Sequence, residues 1–199
     1  NMKIIYIFIL GFMLSACSFF SPVKTHPVNH YLLSKTAEYI PIKRQRPIAL
    51  LVSLPDISPV YNTTQMAYTI RPYEISYFAW NQWAEVPQEM FQPLLVKTLE
   101  RTHHFKAIVT PPYAGGYDYV LDTEILELLQ DYTHRIPLLV MTVRAQIINV
   151  SRNRVIGTRS FTVVQPILRC SPYAGVFAAN DASAHIQQRI AEFCLERIR

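Results

Sequence analysis

Glycine is scarce in this chain, with five residues in 199. The one pair, Gly115-Gly116, reads as a turn, so no glycine-rich loop is present to cradle a phosphate. There is no Cys-x-x-Cys, no His-Glu-x-x-His and no Gly-x-Ser-x-Gly, which removes the common signatures of zinc binding, metalloprotease and serine-hydrolase chemistry. His103-His104 is the one histidine pair. Neighbours on a helix diverge by about 100°, a poor chelate, so the pair reads as a solvated helix end. Asp122 and Glu124 read as a solvated sheet face rather than paired catalytic carboxylates. The sequence therefore predicts no catalytic residue, no metal ligand set and no cofactor. Charge of one sign is not concentrated either. The formal excess is +5, and its densest stretch is Lys43-Arg44-Gln45-Arg46. Without interleaved aromatics this does not make a nucleic-acid surface. It reads as a solvated connector, with contact to anionic lipid head groups as the functional alternative.

What is present begins at the amino terminus. Lys3 precedes an apolar run from Ile4 to Met13, followed by Leu14-Ser15-Ala16-Cys17. A charged tip, a short apolar stretch and small residues before a cut form a secretory signal. The run is roughly half of the ~20 residues that span a bilayer. A Cys after Leu-Ser-Ala resembles the lipobox of bacterial lipoproteins. That resemblance implies cleavage before Cys17 and acylation of its sulfur and its new amino terminus. Ser18, rather than Asp, follows the Cys, which by the same resemblance favours the outer membrane. Residues 1–16 are thus expected to be a removed signal peptide, 17–30 a lipidated tether and 31–199 a single domain.

The remaining pattern predicts an α+β domain. Tyr31-Leu32-Leu33 opens a short edge strand. Ile48 to Leu54, apolar throughout and bounded by prolines, has the pattern of a strand buried on both faces. Met66–Arg71 and Ile75–Ala79 form a hairpin around Arg71-Pro72-Tyr73-Glu74. Pro87 opens a helix to about Thr102, with Phe91, Leu94, Leu95, Leu99 and Thr102 on one face; Pro93 inside it predicts a kink or a later start. Phe105–Val109 is a strand. Tyr117–Leu129, Leu138–Val150 and Val155–Val164 alternate and are joined by short connections, an antiparallel meander. From about Ala178 a last helix carries Ala182, Ile186, Ile190, Phe193 and Cys194 inward, and Gln187, Gln188, Arg189, Glu192 and Glu196 outward. The economical packing is a mixed, largely antiparallel sheet with two helices on one face, a two-layer sandwich.

Aromatic residues are dense between positions 68 and 83: Tyr68, Tyr73, Tyr77, Phe78, Trp80 and Trp83. Tyr73, Tyr77, Trp80 and Trp83 are the candidate partner contacts, since Trp and Tyr supply most interface anchors. A core corner is the competing reading. In an exported chain Cys170 and Cys194 are able to pair, but Cys194 falls on the buried stripe, where a free thiol packs as a small apolar group. The pairing stays open.

At this aromatic segment the chain resembles a known family. Leu54-Pro55 ends an apolar strand, a Tyr-rich hairpin follows at Tyr68–Arg71, and Trp83-Ala84-Glu85 precedes the first helix. Tyr117-Asp118-Tyr119-Val120-Leu121 and the Ala-rich final helix continue the match, from about Tyr31 to Ile198. The pattern resembles the auxiliary lipoproteins of ABC-type transporters, the group that includes the lipoprotein of the paraquat-inducible system. The resemblance implies a non-enzymatic outer-membrane lipoprotein facing the periplasm. Its partners would be a periplasmic protein with mammalian-cell-entry (MCE) domains, a permease and an ATPase, together moving lipids or other apolar molecules between the inner and outer membranes. A homo-oligomer is compatible with it. The alternative is a scaffold or assembly lipoprotein of an envelope or secretion machine.

Overall fold

The computed structural model describes residues 26–198, so the signal segment and Cys17 lie outside the described residues. Nine strands and two long helices follow in the order β1 (Asn29–Tyr31), β2 (Arg46–Val52), β3 (Asp56–Ile57), β4 (Gln65–Thr69), β5 (Ser76–Trp83), α1 (Pro87–Glu100), β6 (Phe105–Val109), β7 (Tyr119–Asp131), β8 (Leu138–Asn149), β9 (Arg154–Pro166) and α2 (Pro172–Arg197). The sheet is mixed and curled, an α+β fold as the sequence pattern predicts.

Strand β7 is its spine. One edge pairs antiparallel with β8 from Tyr119↔Asn149 to Asp131↔Leu138, and β8 pairs antiparallel with β9. The other edge is shared by three parallel strands: β2 against Leu121 and its predecessors, β3 against Glu124 and Ile125, β4 against Gln130 and Asp131. Beyond them β6 joins β2, and β5 then β1 continue from β4. The register slips once on β7, between Ile125 and Glu127. That bulge changes which parity points inward: Leu121, Thr123 and Ile125 are buried before it, Leu128 and Gln130 after it.

On β8 the expected inward set, Leu139, Met141, Val143, Ala145 and Ile147, is buried throughout. Helix α2 lies across β8 and β9, and α1 packs on α2 and β6. The core is one cluster from Leu33 to Ile198, with Phe91, Phe161 and Phe193 among its largest members. Gly157 lets the Phe193 ring approach the sheet, because an added Cβ would stand 2.9 Å from its Cζ. Pro93 sits inside α1 on its exposed side. There the carbonyl it leaves unbonded meets water, so the helix starts at Pro87 rather than being delayed.

Three expectations change. Helix α2 begins at Pro172, not near Ala178: the Ser171 hydroxyl caps it by accepting from the Ala174 amide at 3.2 Å, and Pro172 takes the first position, where no amide is needed. Gln187 does not face away. It is wholly buried, accepting from Thr98 Oγ1 at 2.9 Å and donating to Ser183 Oγ at 2.9 Å and to the Lys35 carbonyl at 3.2 Å. It thereby ties α1, α2 and the segment after β1 together. His104 is not solvated: its Nε2 lies 3.0 Å from the Ile198 carbonyl, and its ring meets Phe105 edge-on. The chain turns inward there because His103 takes a left-handed conformation, with φ of 54°. Cys170 is exposed and Cys194 buried, and both are free thiols. Burial pushes the Cys194 thiol pKa well up.

Candidate docking surface

The β4–β5 hairpin carries the aromatic segment. Its tip is held by an Arg71 Nε–Glu74 Oε2 ion pair at 3.1 Å and by Thr69 Oγ1 donating to the Arg71 carbonyl at 2.7 Å. Tyr73 takes a positive φ of 67° at that tip and is fully exposed. Down β5, Tyr77 and Trp80 are exposed, with Ile75 beside them. Tyr77 donates to the Val60 carbonyl at 3.0 Å, and Trp80 meets the His26 ring edge-on at 5.3 Å. Phe78 instead stacks on Tyr68 at 4.3 Å and meets Tyr132 edge-on.

Trp83 departs from the expected contact set. It is 3% exposed and belongs to the core. The reason is the irregular register of β5, which pairs Tyr77 with Ala67 but Gln82 with Gln65. The extra length lies between them and carries Trp80 at the surface, while the strand end turns Trp83 inward beside β1. The structure therefore brings Tyr73, Tyr77 and Trp80 to one exposed hairpin and separates Trp83 from them.

Among the described residues no group of three or more His, Cys, Asp or Glu is placed to hold a metal ion. Asp122 accepts from Ser53 Oγ at 2.6 Å and Glu124 is paired with Arg144, so the two carboxylates are held apart by different partners. Beneath the Tyr73 tip is a depression of about 490 Å³ lined by Tyr61, Glu74, Glu127 and Asp131. Burial raises the Glu127 carboxyl above its usual range, partly opposed by a hydrogen bond from Thr142. Burial also pushes the Tyr61 phenol up to about 12. In both, burial disfavours the ionised form.

The β4–β5 hairpin thus leaves three aromatic rings, Tyr73, Tyr77 and Trp80, at the surface. The chain belongs to the family of ABC-type transport auxiliary lipoprotein components, whose model matches residues 31–191. Among solved structures it is similar to a Xanthomonas campestris protein of family DUF330, at 20% identity and a TM-score of 0.77, covering 85% of this chain and 96% of that one. It is also similar to the crystal structure of an uncharacterized protein, at 15% identity and a TM-score of 0.67, covering 84% and 99%. At those identities the likeness concerns the fold. No curated protein matches the chain. Among the described residues no helix is long and apolar enough to cross a membrane.

Proposed function

We propose that this chain is the lipid-anchored, non-catalytic docking component of an MCE-type ABC system. Cys17 would carry the anchor on the periplasmic face of the outer membrane. The domain would receive the distal end of the MCE protein, whose permease and ATPase drive lipids or other apolar molecules between the two membranes. One observation carries the docking role: Tyr73, Tyr77 and Trp80 stand exposed on a hairpin whose tip is pinned by its own ion pair. Exposed Trp and Tyr side chains are the type that most often dominate the energetics of protein interfaces.

The test is capture of the cognate MCE protein by the wild type and by Trp80→Ala. The expected loss is about 2 kcal/mol in binding, with the melting temperature unchanged because the ring is exposed. Failure of the wild type to capture any MCE protein at micromolar concentration would overturn the docking reading. Labelled palmitate is expected in the wild type and not in Cys17→Ala; label retained by the variant would overturn the anchor.

A further inference from the structure

A second apolar region lies where β9 passes into α2. A groove of about 480 Å³ runs between the β9–α2 connection and the first turns of α2, within the usual size of small-molecule sites, about 300–1,000 Å³. Its apolar lining includes Leu168, Tyr173, Ala174, Phe177 and Ala178. Leu168 is 87% exposed and Phe177 60%. Tyr173 is braced by Phe177 at 5.0 Å and by Tyr31 of β1 at 5.6 Å, so this wall is preformed. Helix α2 can sit this close to the sheet because residue 175 is glycine: a Cβ there would overlap the Gln130 carboxamide.

The charges around the groove are unequal. Asp181, at one end, is neutralised by Lys35 Nζ at 2.9 Å. Arg169, on the groove wall, has no carboxylate partner among the described residues. Arg135 is equally unpaired and belongs to the next loop, which is joined to this connection by the Ile167 amide donating to the Pro137 carbonyl at 2.7 Å. An apolar trough with an uncompensated guanidinium on its wall matches an amphiphile with an anionic head and an alkyl tail.

We infer that this groove binds a single-chain anionic amphiphile, its tail along Leu168, Tyr173 and Phe177 and its head group on Arg169. The inference deepens the proposed function, on which it rests for the biological identity of the cargo. The groove is lined by residues other than Tyr73, Tyr77 and Trp80, so ligand and partner use different side chains.

The test uses the chain from residue 17 onward carrying Cys17→Ser, which keeps every described residue. Titration with dansyl-labelled undecanoic acid below its micelle concentration is expected to give saturable, blue-shifted fluorescence at one probe per chain. Leu168→Ser with Phe177→Ser, both at exposed side chains, should weaken binding at least roughly tenfold with the melting temperature retained. Arg169→Glu should reverse the preference between the carboxylate-headed probe and the same chain bearing a quaternary ammonium head. Equal binding by the double variant overturns the inference, as does binding only above the micelle concentration. Binding to anionic vesicles without binding of the monomeric probe also overturns it, in favour of a face that lies on a membrane. MCE-protein capture by the double variant separates the two proposals. Capture by a wild type that binds no probe removes the groove and leaves docking; probe binding by a wild type that captures no partner removes docking and leaves the groove.

Discussion

The two edges of β7 are built differently. Along one, β8 pairs over nearly the whole length of β7 and β9 over that of β8, each joined by a short connection. Along the other, β2, β3 and β4 each take two or three residues of the spine, all parallel, as successive short pieces of residues 46–69. The first edge is continuous, with one bulge in each ladder, because antiparallel neighbours joined by a turn fix one another's register. The second is a set of separate contacts, and the segments between them are free to leave side chains outside. The exposed aromatic residues of β5 are on this second flank. Regularity produced the core here, and irregularity produced the surface available for contact.

Two truncations measure that difference, and they carry the largest expected effects. Phe193 is buried under the meander, edge-on to Phe161 at 6.0 Å, and Trp83 closes the core on the irregular flank. Phe193→Ala and Trp83→Ala should each cost about 3–5 kcal/mol, the range for buried Phe or Trp truncated to Ala. Denaturant unfolding should stay a single transition in both, since one cluster joins the flanks. A separate early transition in Trp83→Ala would show instead that the flank opens on its own. A near-zero effect of Phe193→Ala would show that α2 does not seal the sheet.

How much of this was legible in the sequence follows the same division. The inward sets of β8 and α1 could be read directly, because one face of each meets water and the alternation or helical period survives in the residue order. Strand β2 was legible for the opposite reason: parallel neighbours on both edges leave a continuous apolar run. The parallel contacts of β3 and β4 with β7 have no local signature. Trp83 was assigned to the contact set because six aromatic residues in sixteen positions look like one patch; a register irregularity inside β5 divides them, and nothing in the residue types announces it. The early start of α2 did have a signal, Ser171-Pro172, a capping hydroxyl before a first-turn proline. Reading it would have placed Tyr173 and Phe177 four residues apart on one helical face and drawn attention to the groove. Gln187 gave no signal, because a buried amide and a surface amide are the same letter until their partners are known.

Gln187 is the point where the comparison is sharpened at intermediate size. Its carboxamide joins Thr98 of α1 to Ser183 of α2 and to the backbone of the segment that follows β1. Gln187→Leu keeps most of the volume but leaves the buried Thr98 hydroxyl and the Lys35 carbonyl without this partner. The expected loss is about 1–3 kcal/mol, the cost of orphaned buried polar groups. Amide exchange should accelerate around residues 34–37 more than in β8. Adding Thr98→Val should recover part of the loss, since it removes one of the orphans. An unchanged denaturation midpoint in Gln187→Leu would show that water replaces the amide and that the two helices are held by apolar packing alone.

The smallest effect concerns Glu127, just past the β7 bulge. Its carboxyl is raised chiefly by burial, with the Thr142 hydrogen bond working the other way and the Asp131 charge adding to the rise. A raised acid binds its proton more tightly in the fold than in the unfolded chain, so the stability it contributes is present in acid and lost as pH climbs through the folded value. At neutral pH the ionised carboxylate is therefore a modest liability. Glu127→Gln imitates the protonated form and can still accept from Thr142. Its melting temperature should exceed that of the wild type at neutral pH, and the difference should shrink toward zero near the ordinary Glu value of about 4.3. Scans across that range decide it. A gain that stays constant with pH would mean that the side chain acts through packing, and that the bulge places Glu127 in water rather than against Tyr61.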